Sequence, residues 1–261
     1  MTGNMLSEIS GSVGWMTFNN PDKRNAMSIE MWGEMGEILE DFARNDAVRV
    51  VVMRGAGERA FVSGADISQF EAHRSNAEAA ARYSAIAAEA RQRLRTFEKP
   101  LIAMIHGYCL GGGLGIALAA DLRFAADDAV FGIPAARLGI AYGPESMRQM
   151  VALVGPMMAK DMLFSARRLP AAEAQRIGLI SHLAPAGELE AMVRDYAATL
   201  VENAPLSQLA TKAIIDEMMK PEGEQDAGLA QRHVSLCFDS ADYAEGRRAF
   251  MEKRKPVFTG R

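Results

Sequence analysis

The sequence predicts an α/β core followed by an all-helical C-terminal region. Three observations carry this reading. Apolar strands alternate with segments of helical periodicity along the N-terminal part of the chain. Strand signal almost vanishes from about residue 188 onward. Within the core, Leu110-Gly111-Gly112-Gly113-Leu114-Gly115 joins a buried strand to a helix, the strand-then-helix order of an α/β protein.

Each element is justified by its residues. Residues 13–18 (VGWMTF) alternate and read as a strand, and 19–25 form a polar loop rich in turn formers. Residues 28–45 set Ile29, Met31, Met35, Ile38, Leu39 and Phe42 at helical spacing. Ser28 is the N-cap of that helix, and Met31 in place of a glutamate leaves no capping box. Residues 48–54 (VRVVVMR) and 100–106 (PLIAMIH) are buried strands. Between them, 72–98 is alanine-rich and predicts a helix long enough for a lid or wall. After the glycine cluster a helix runs over 114–122. Residues 129–131 form a short strand, 134–143 are irregular, and 145–154 return to helix. Three more helices are expected at 191–203, 206–219 and 226–238, giving a core at 1–187 and a helical region at 188–261.

Composition narrows the function classes. With 49% hydrophobic and 24% charged residues, the 261-residue chain is an ordinary globular sequence. A net charge of −4 gives no reason to expect nucleic acid or an anionic membrane. Cys109 and Cys237 argue neither for a disulfide framework nor for a zinc site. The N-terminus lacks a basic segment followed by an apolar run, and no uncharged apolar stretch reaches about 18 residues. A cytoplasmic protein is therefore expected. The 17 methionines are scattered at helical spacings and read as packing. No two histidines share a ligand spacing, so no metal is expected. His106 reads as structural, and His73, His182 and His233 as surface residues.

The chemistry resides in two turns. Glycine lets a backbone N–H come close to a ligand, and the first N–H groups of a helix have no partner within it. A second turn of small residues, Ser63-Gly64-Ala65, comes after the strand at 48–54. Two such turns can direct two N–H donors at one oxygen, the design of an oxyanion hole.

These turns sit within a longer series of segments. Asn20-Pro21-Asp22-Lys23-Arg24-Asn25-Ala26-Met27 comes first, then 61–67, 106–113 and Phe131-Gly132-Ile133-Pro134. Residues 171–179 (AAEAQRIGL) and Ala249-Phe250-Met251-Glu252-Lys253-Arg254-Lys255 complete it. In this order they resemble the crotonase superfamily, the enoyl-CoA hydratase/isomerase family, over nearly the whole chain. The resemblance implies a crotonase-like spiral of ββα units and a C-terminal all-helical trimerisation region. It implies a homotrimer or a dimer of trimers acting on an acyl-CoA thioester, with coenzyme A entering as part of the substrate and no separate cofactor. It also implies that the N–H groups of Ala65 and Gly112 form the oxyanion hole. Lys23, Arg24, Ala26, Asp66, Ile67, Ser68, Phe250 and Lys253 would recognise the CoA moiety.

Two positions depart from that pattern. Hydrating relatives carry one glutamate two residues after the third glycine and another directly after the proline. Here those positions are Gly115 and Ala135. Tyr142 and Glu145, in a segment that passes the active site in relatives, are the remaining candidates for catalytic contact. Tyr142 also falls where the methylmalonyl-CoA decarboxylase branch carries a tyrosine, although that branch has a histidine in place of Ala65. Each has a plainer role available, a structural tyrosine or a carboxylate at a helix start. Arg137 can pair with a substrate carboxylate or with the protein. Cys109 lacks an evident base to make it a nucleophile. Three functions stay open: a lyase or isomerase of the family with an altered acid/base set, a malonyl-type CoA decarboxylase, and a catalytically silent acyl-CoA binder.

Overall fold

The alternating run at 13–18 forms strand β2 (Val13–Phe18), preceded by β1 (Met5–Ser10), which pairs with it antiparallel. The computed structural model describes residues 4–66 and 77–261, apart from the side chains of residues 77, 79–81, 83, 84, 145 and 146. The apolar runs become β3 (Val50–Gly55) and β5 (Leu101–Ile105). With β7 (Leu122–Ala126) and β10 (His182–Ala184) they complete a six-stranded sheet of order β1-β2-β3-β5-β7-β10. From β2 onward neighbouring strands are parallel.

A second sheet contains β4 (Ala60–Val62), β6 (Tyr108–Leu110), β8 (Val130–Gly132) and β9 (Leu169–Pro170), in that order. The chain visits the sheets alternately, β3 then β4, β5 then β6, β7 then β8, and so winds as a ββα spiral. Its helices are α1 (Ile29–Arg44), α2 (Ala77–Arg95), α3 (Gly112–Leu118), α4 (Pro144–Ser165) and α5 (Ala171–Arg176). The Ser28 hydroxyl caps α1 by accepting from Met31 N–H at 3.2 Å. Helix α4 breaks at Gly155, whose φ of 73° interrupts it just before Pro156.

Both faces of the large sheet are buried. Met16, Val51, Met53, Leu101 and Ala103 face α1 through Met31, Met35 and Leu39. Trp15, Val50, Val52, Ile102 and Phe124 face α6 (Leu189–Glu202) through Leu189, Val193 and Ala197. Burial of each large side chain contributes about 1.5–3 kcal/mol, which makes this two-sided core the main source of stability. Helices α7 (Pro205–Met218), α8 (Leu229–Phe238) and α9 (Ala241–Glu252) come after it, with no further strand among the described residues.

Two of the expected helices close clearly before their expected ends. The helix expected over 114–122 starts at Gly112 and ends at Leu118. The sheet captures the chain just beyond it. Asp121 N–H donates to Leu101 O at 2.9 Å, and the Asp121 carboxylate accepts from Leu101 N–H at 2.7 Å. The expected helix over 72–98 is described from Ala77 and closes at Arg95.

The two sheets meet where α3 begins. A Cβ on Gly113 would lie 2.1 Å from Val62 O, so only glycine lets this turn touch β4. A Cβ on Gly115, in the same helix, would meet nothing within 4 Å. Gly113→Ala is therefore expected to lose about 1–3 kcal/mol or more through overpacking. Gly115→Ala should gain up to about 1 kcal/mol of helix stability. Thermal unfolding of the two variants checks the difference, and equal midpoints would contradict it.

Candidate active site

The first wall is built by a ladder between two loops. Asn25 is buried in a left-handed turn (φ 56°) that asparagine tolerates. Its side-chain amide donates to Ala60 O at 2.7 Å and Ala56 O at 3.1 Å, and its Oδ1 accepts from Asn20 N–H at 3.0 Å. The loop is thereby fastened to β4. Ser63 N–H then donates to Arg24 O at 3.2 Å, Met27 N–H to Gly64 O at 2.8 Å, and Asp66 N–H to Met27 O at 2.9 Å.

This ladder sets the direction of Ala65. Met27 and Ala65 form a parallel bridge in which the groups flanking Ala65 make the bonds. The N–H of Ala65 itself is left on the opposite edge, toward the strand paired with β4. That strand is β6, which leads into the glycine turn. Gly64 confirms the closeness of the two turns, since a Cβ there would sit 3.6 Å from Leu110 O.

The second wall is the turn itself. Gly111 has φ 53° and ψ −118° and donates to Gly132 O at 2.8 Å, extending the β6–β8 ladder. Gly112 then opens α3 with space around its Cα. Among the described residues no protein acceptor takes the N–H of Ala65 or of Gly112. The fold thus brings the two sequence-predicted donors into neighbouring turns.

Facing groups are sparse. Gly115 opens onto space, and Ala135, 6% exposed, presents a methyl in the 3-10 segment Pro134–Leu138. Half-buried Tyr142 reaches the turn: its hydroxyl lies 3.8 Å from where a Cβ on Gly111 would be. Burial pushes its phenol above the ordinary value, and the Arg91 cation opposes the shift. Sequence reading missed Arg91, which also lies 5.2 Å over the Trp32 ring, because it is one of several arginines on α2 that nothing in the sequence distinguishes. The backbone of Glu145 lies in the first turn of α4, and its side chain lies outside the described residues. Exposed Arg137 lies on the 3-10 segment.

The expected CoA contacts divide into groups. Lys23 Nζ bonds the buried Asp66 carboxylate at 2.7 Å, and Ala26 is buried beside them in the loop. The Arg24 guanidinium lies 5.3 Å over the Tyr108 ring. Ile67 and Ser68 lie outside the described residues, as does His73. Phe250 and Lys253 lie at the end of α9, Phe250 in a groove with Leu206, Phe238, Tyr243, Met251 and Phe258. Cys109 is fully buried and its thiol is pushed far up by burial, so it does not act as a nucleophile. His182, expected on the surface, stacks on Phe124 at 4.1 Å. Among the described residues no cluster of His, Cys, Asp or Glu fits a metal, and no helix is long and apolar enough to cross a membrane.

The site thus combines a ββα spiral with two adjacent small-residue turns whose Ala65 and Gly112 N–H groups take no acceptor among the described residues. Comparison with known proteins supplies the family. The model of the family described as enoyl-CoA hydratase/isomerase matches residues 8–261, and the chain belongs to that family. It is 33% identical to a short-chain-enoyl-CoA hydratase of Clostridium acetobutylicum, over 97% of this chain and 96% of that one. It is 34% identical to a carnitinyl-CoA dehydratase of Escherichia coli K12, over 97% of each. A crystal structure of an enoyl-CoA hydratase/carnithine racemase from Magnetospirillum magneticum superposes with a TM-score of 0.94 at 32% identity, covering 100% of this chain and 97% of that one.

The raised Tyr142 value has a thermodynamic consequence. The folded chain holds the phenolic proton more tightly than the unfolded chain does. That contribution to stability is complete below a pH of about 10 and is lost as pH rises through the folded value. Tyr142→Phe should remove this loss, and ultraviolet titration should lose its late-titrating phenol. An unchanged titration would contradict the placement of Tyr142.

Proposed function

We propose that the protein binds an acyl-CoA thioester, holds the thioester oxygen between the N–H groups of Ala65 and Gly112, and stabilises the enolate that forms there. The observation that carries this reading is the pair of donors left without protein acceptors in touching turns. Each such donor supports a factor of about 10²–10³ in rate. Lys23, Arg24, Ala26, Asp66, Ile67 and Ser68 would contact the CoA moiety, with Phe250 and Lys253 contributing from the C-terminal helices. Coenzyme A arrives with the substrate, and no separate cofactor is invoked.

The acid/base set is altered. Two carboxylates that would each supply about 10²–10⁴ are replaced by Gly115 and Ala135. Tyr142, a phenol that is neutral at pH 7 and whose burial holds its proton more tightly, can donate a hydrogen bond or a proton to an enolate but is a poor base. Glu145 is the candidate base. The similarity to proteins named as a hydratase and a dehydratase supports chemistry at the α,β bond of an acyl-CoA.

A second reading has its own support. The apolar wall at Ala135 and the space at Gly115 suit a malonyl-type thioester. In its decarboxylation the electrons of the breaking C–C bond form the enolate directly. CO₂ leaves, the α-carbon takes a proton from Tyr142 or water, and no base is needed to begin.

Calorimetry with free CoA and crotonyl-CoA is expected to show binding of both, and no heat at millimolar ligand would overturn the proposal. Crotonyl-CoA hydration should stay well below the median enzyme kcat of about 10 s⁻¹. Release of CO₂ from malonyl- or methylmalonyl-CoA would decide for the second reading.

The assembly is a trimer or a dimer of trimers on this reading. Phe250 is 82% exposed and Met251 80%, at a groove of about 830 Å³ in the helical region. Apolar exposure on that scale suits burial against another copy. Light scattering at micromolar concentration should give a trimer or hexamer, and a monomer would contradict this.

A further inference from the structure

Arg123 is the only buried basic side chain among the described residues, at 5% exposure. It lies on β7 opposite Ala103, on the sheet face that carries Ala125 and faces the core packed around α3. Its guanidinium donates to backbone carbonyls: Nε to Leu179 O at 2.8 Å, and Nη1 to Ala120 O at 2.7 Å and Ala117 O at 3.4 Å. The nearby Asp121 carboxylate is engaged elsewhere, by Lys212 Nζ at 2.9 Å and Leu101 N–H at 2.7 Å. Ser181 fixes the backbone of Arg123 from both sides: its hydroxyl accepts from Arg123 N–H at 3.1 Å and donates to Arg123 O at 2.8 Å.

Such an arrangement is costly. A buried cation without a close carboxylate loses its hydration, and burial lowers its pKa accordingly. An apolar side chain would fill the same volume at lower cost. What the guanidinium adds is a grip on the far end of α3. Ala117 carries a carbonyl in the last turn of that helix, where it also accepts from Ala120 N–H at 3.2 Å, and the Ala120 carbonyl lies just past the helix end at Leu118. Gly112 stands at the opposite end, about 10 Å away along the axis.

We propose that Arg123 is a positioning residue for the oxyanion hole. Its grip on the carbonyls of Ala117, Ala120 and Leu179 fixes the helix that carries the Gly112 N–H, and its buried charge adds to the positive field at the bound oxygen. A unit charge at about 10 Å in a medium of effective dielectric near 20 favours an enolate by roughly tenfold. This rests on the reading of Gly112 as a hole donor.

The test is infrared difference spectroscopy of bound crotonyl-CoA labelled with carbon-13 at the thioester carbonyl. The wild type should shift the carbonyl stretch to lower frequency. Arg123→Met should lose at least half of that shift while its Kd for free CoA stays at the wild-type value. Turnover of crotonyl-CoA should fall by as much as roughly 10² at unchanged KM, as expected for a displaced donor. Arg123→Lys, which keeps the charge but grips fewer carbonyls, should fall between the two. Wild-type frequency in a folded Arg123→Met protein overturns the proposal, and wild-type frequency in Arg123→Lys overturns the positioning claim even where Arg123→Met does not fold. An unshifted carbonyl in the wild type overturns the oxyanion-hole reading itself, and this inference with it.

Discussion

The contact on which the site depends is made by backbone alone. Gly113 comes so close to β4 that a Cβ there would lie 2.1 Å from Val62 O. No side chain can mediate that approach, and no other residue type permits it. Because β4 is held this tightly against the start of α3, Ala65 and Gly112 emerge in adjacent turns. The other restraints support the same approach. Asn25 ties its loop to Ala60, the Met27–Ala65 bridge turns the Ala65 N–H away from that loop, and the β6–β8 ladder fixes Gly111. Preorganised donors of this kind need no rearrangement as charge develops, which is the source of their catalytic value.

On the proposed function, the chemistry around that pair of N–H groups is set by what is missing. On that reading, space at Gly115 and a methyl at Ala135 stand where the family resemblance would place two carboxylates. Their combined loss, about 10²–10⁴ each, exceeds what one phenol restores. The site, on the proposed function, is stronger at holding an enolate than at forming one by proton removal. Substrates whose own bond cleavage generates the enolate, or a base from the segment around Glu145, meet that imbalance in different ways.

The long strands are legible in the sequence because they are apolar throughout. Val50 and Val52 pack on α6 while Val51 and Met53 pack on α1, so no polar face interrupts the run. The short strands β4 and β6 are not legible as strands, since each has three residues and a pairing set by distant partners. Strand β1 is hidden because Met5 alone among its six residues is buried. The helix after the glycine turn reads too long: Ala119, Ala120 and Leu122 favour helix, but Asp121 is drawn onto Leu101. In the candidate site, the two small-residue turns are legible because small residues are needed for close backbone approach, while the choice of Ala65 and Gly112 within them comes from the family resemblance. Asn25 and Arg123 give no comparable signal. An asparagine in a turn-rich loop reads as an ordinary turn former, and an arginine whose acceptors are carbonyls leaves no complementary charge in the sequence.

The most direct measurement is a crystal structure with a thioester-mimicking acyl-CoA bound. The expected result is a carbonyl oxygen about 2.7–3.1 Å from the backbone nitrogens of both Ala65 and Gly112. A bound ligand whose carbonyl oxygen contacts neither nitrogen, with CoA seated away from the Lys23–Asp66 loop, would contradict the central claim.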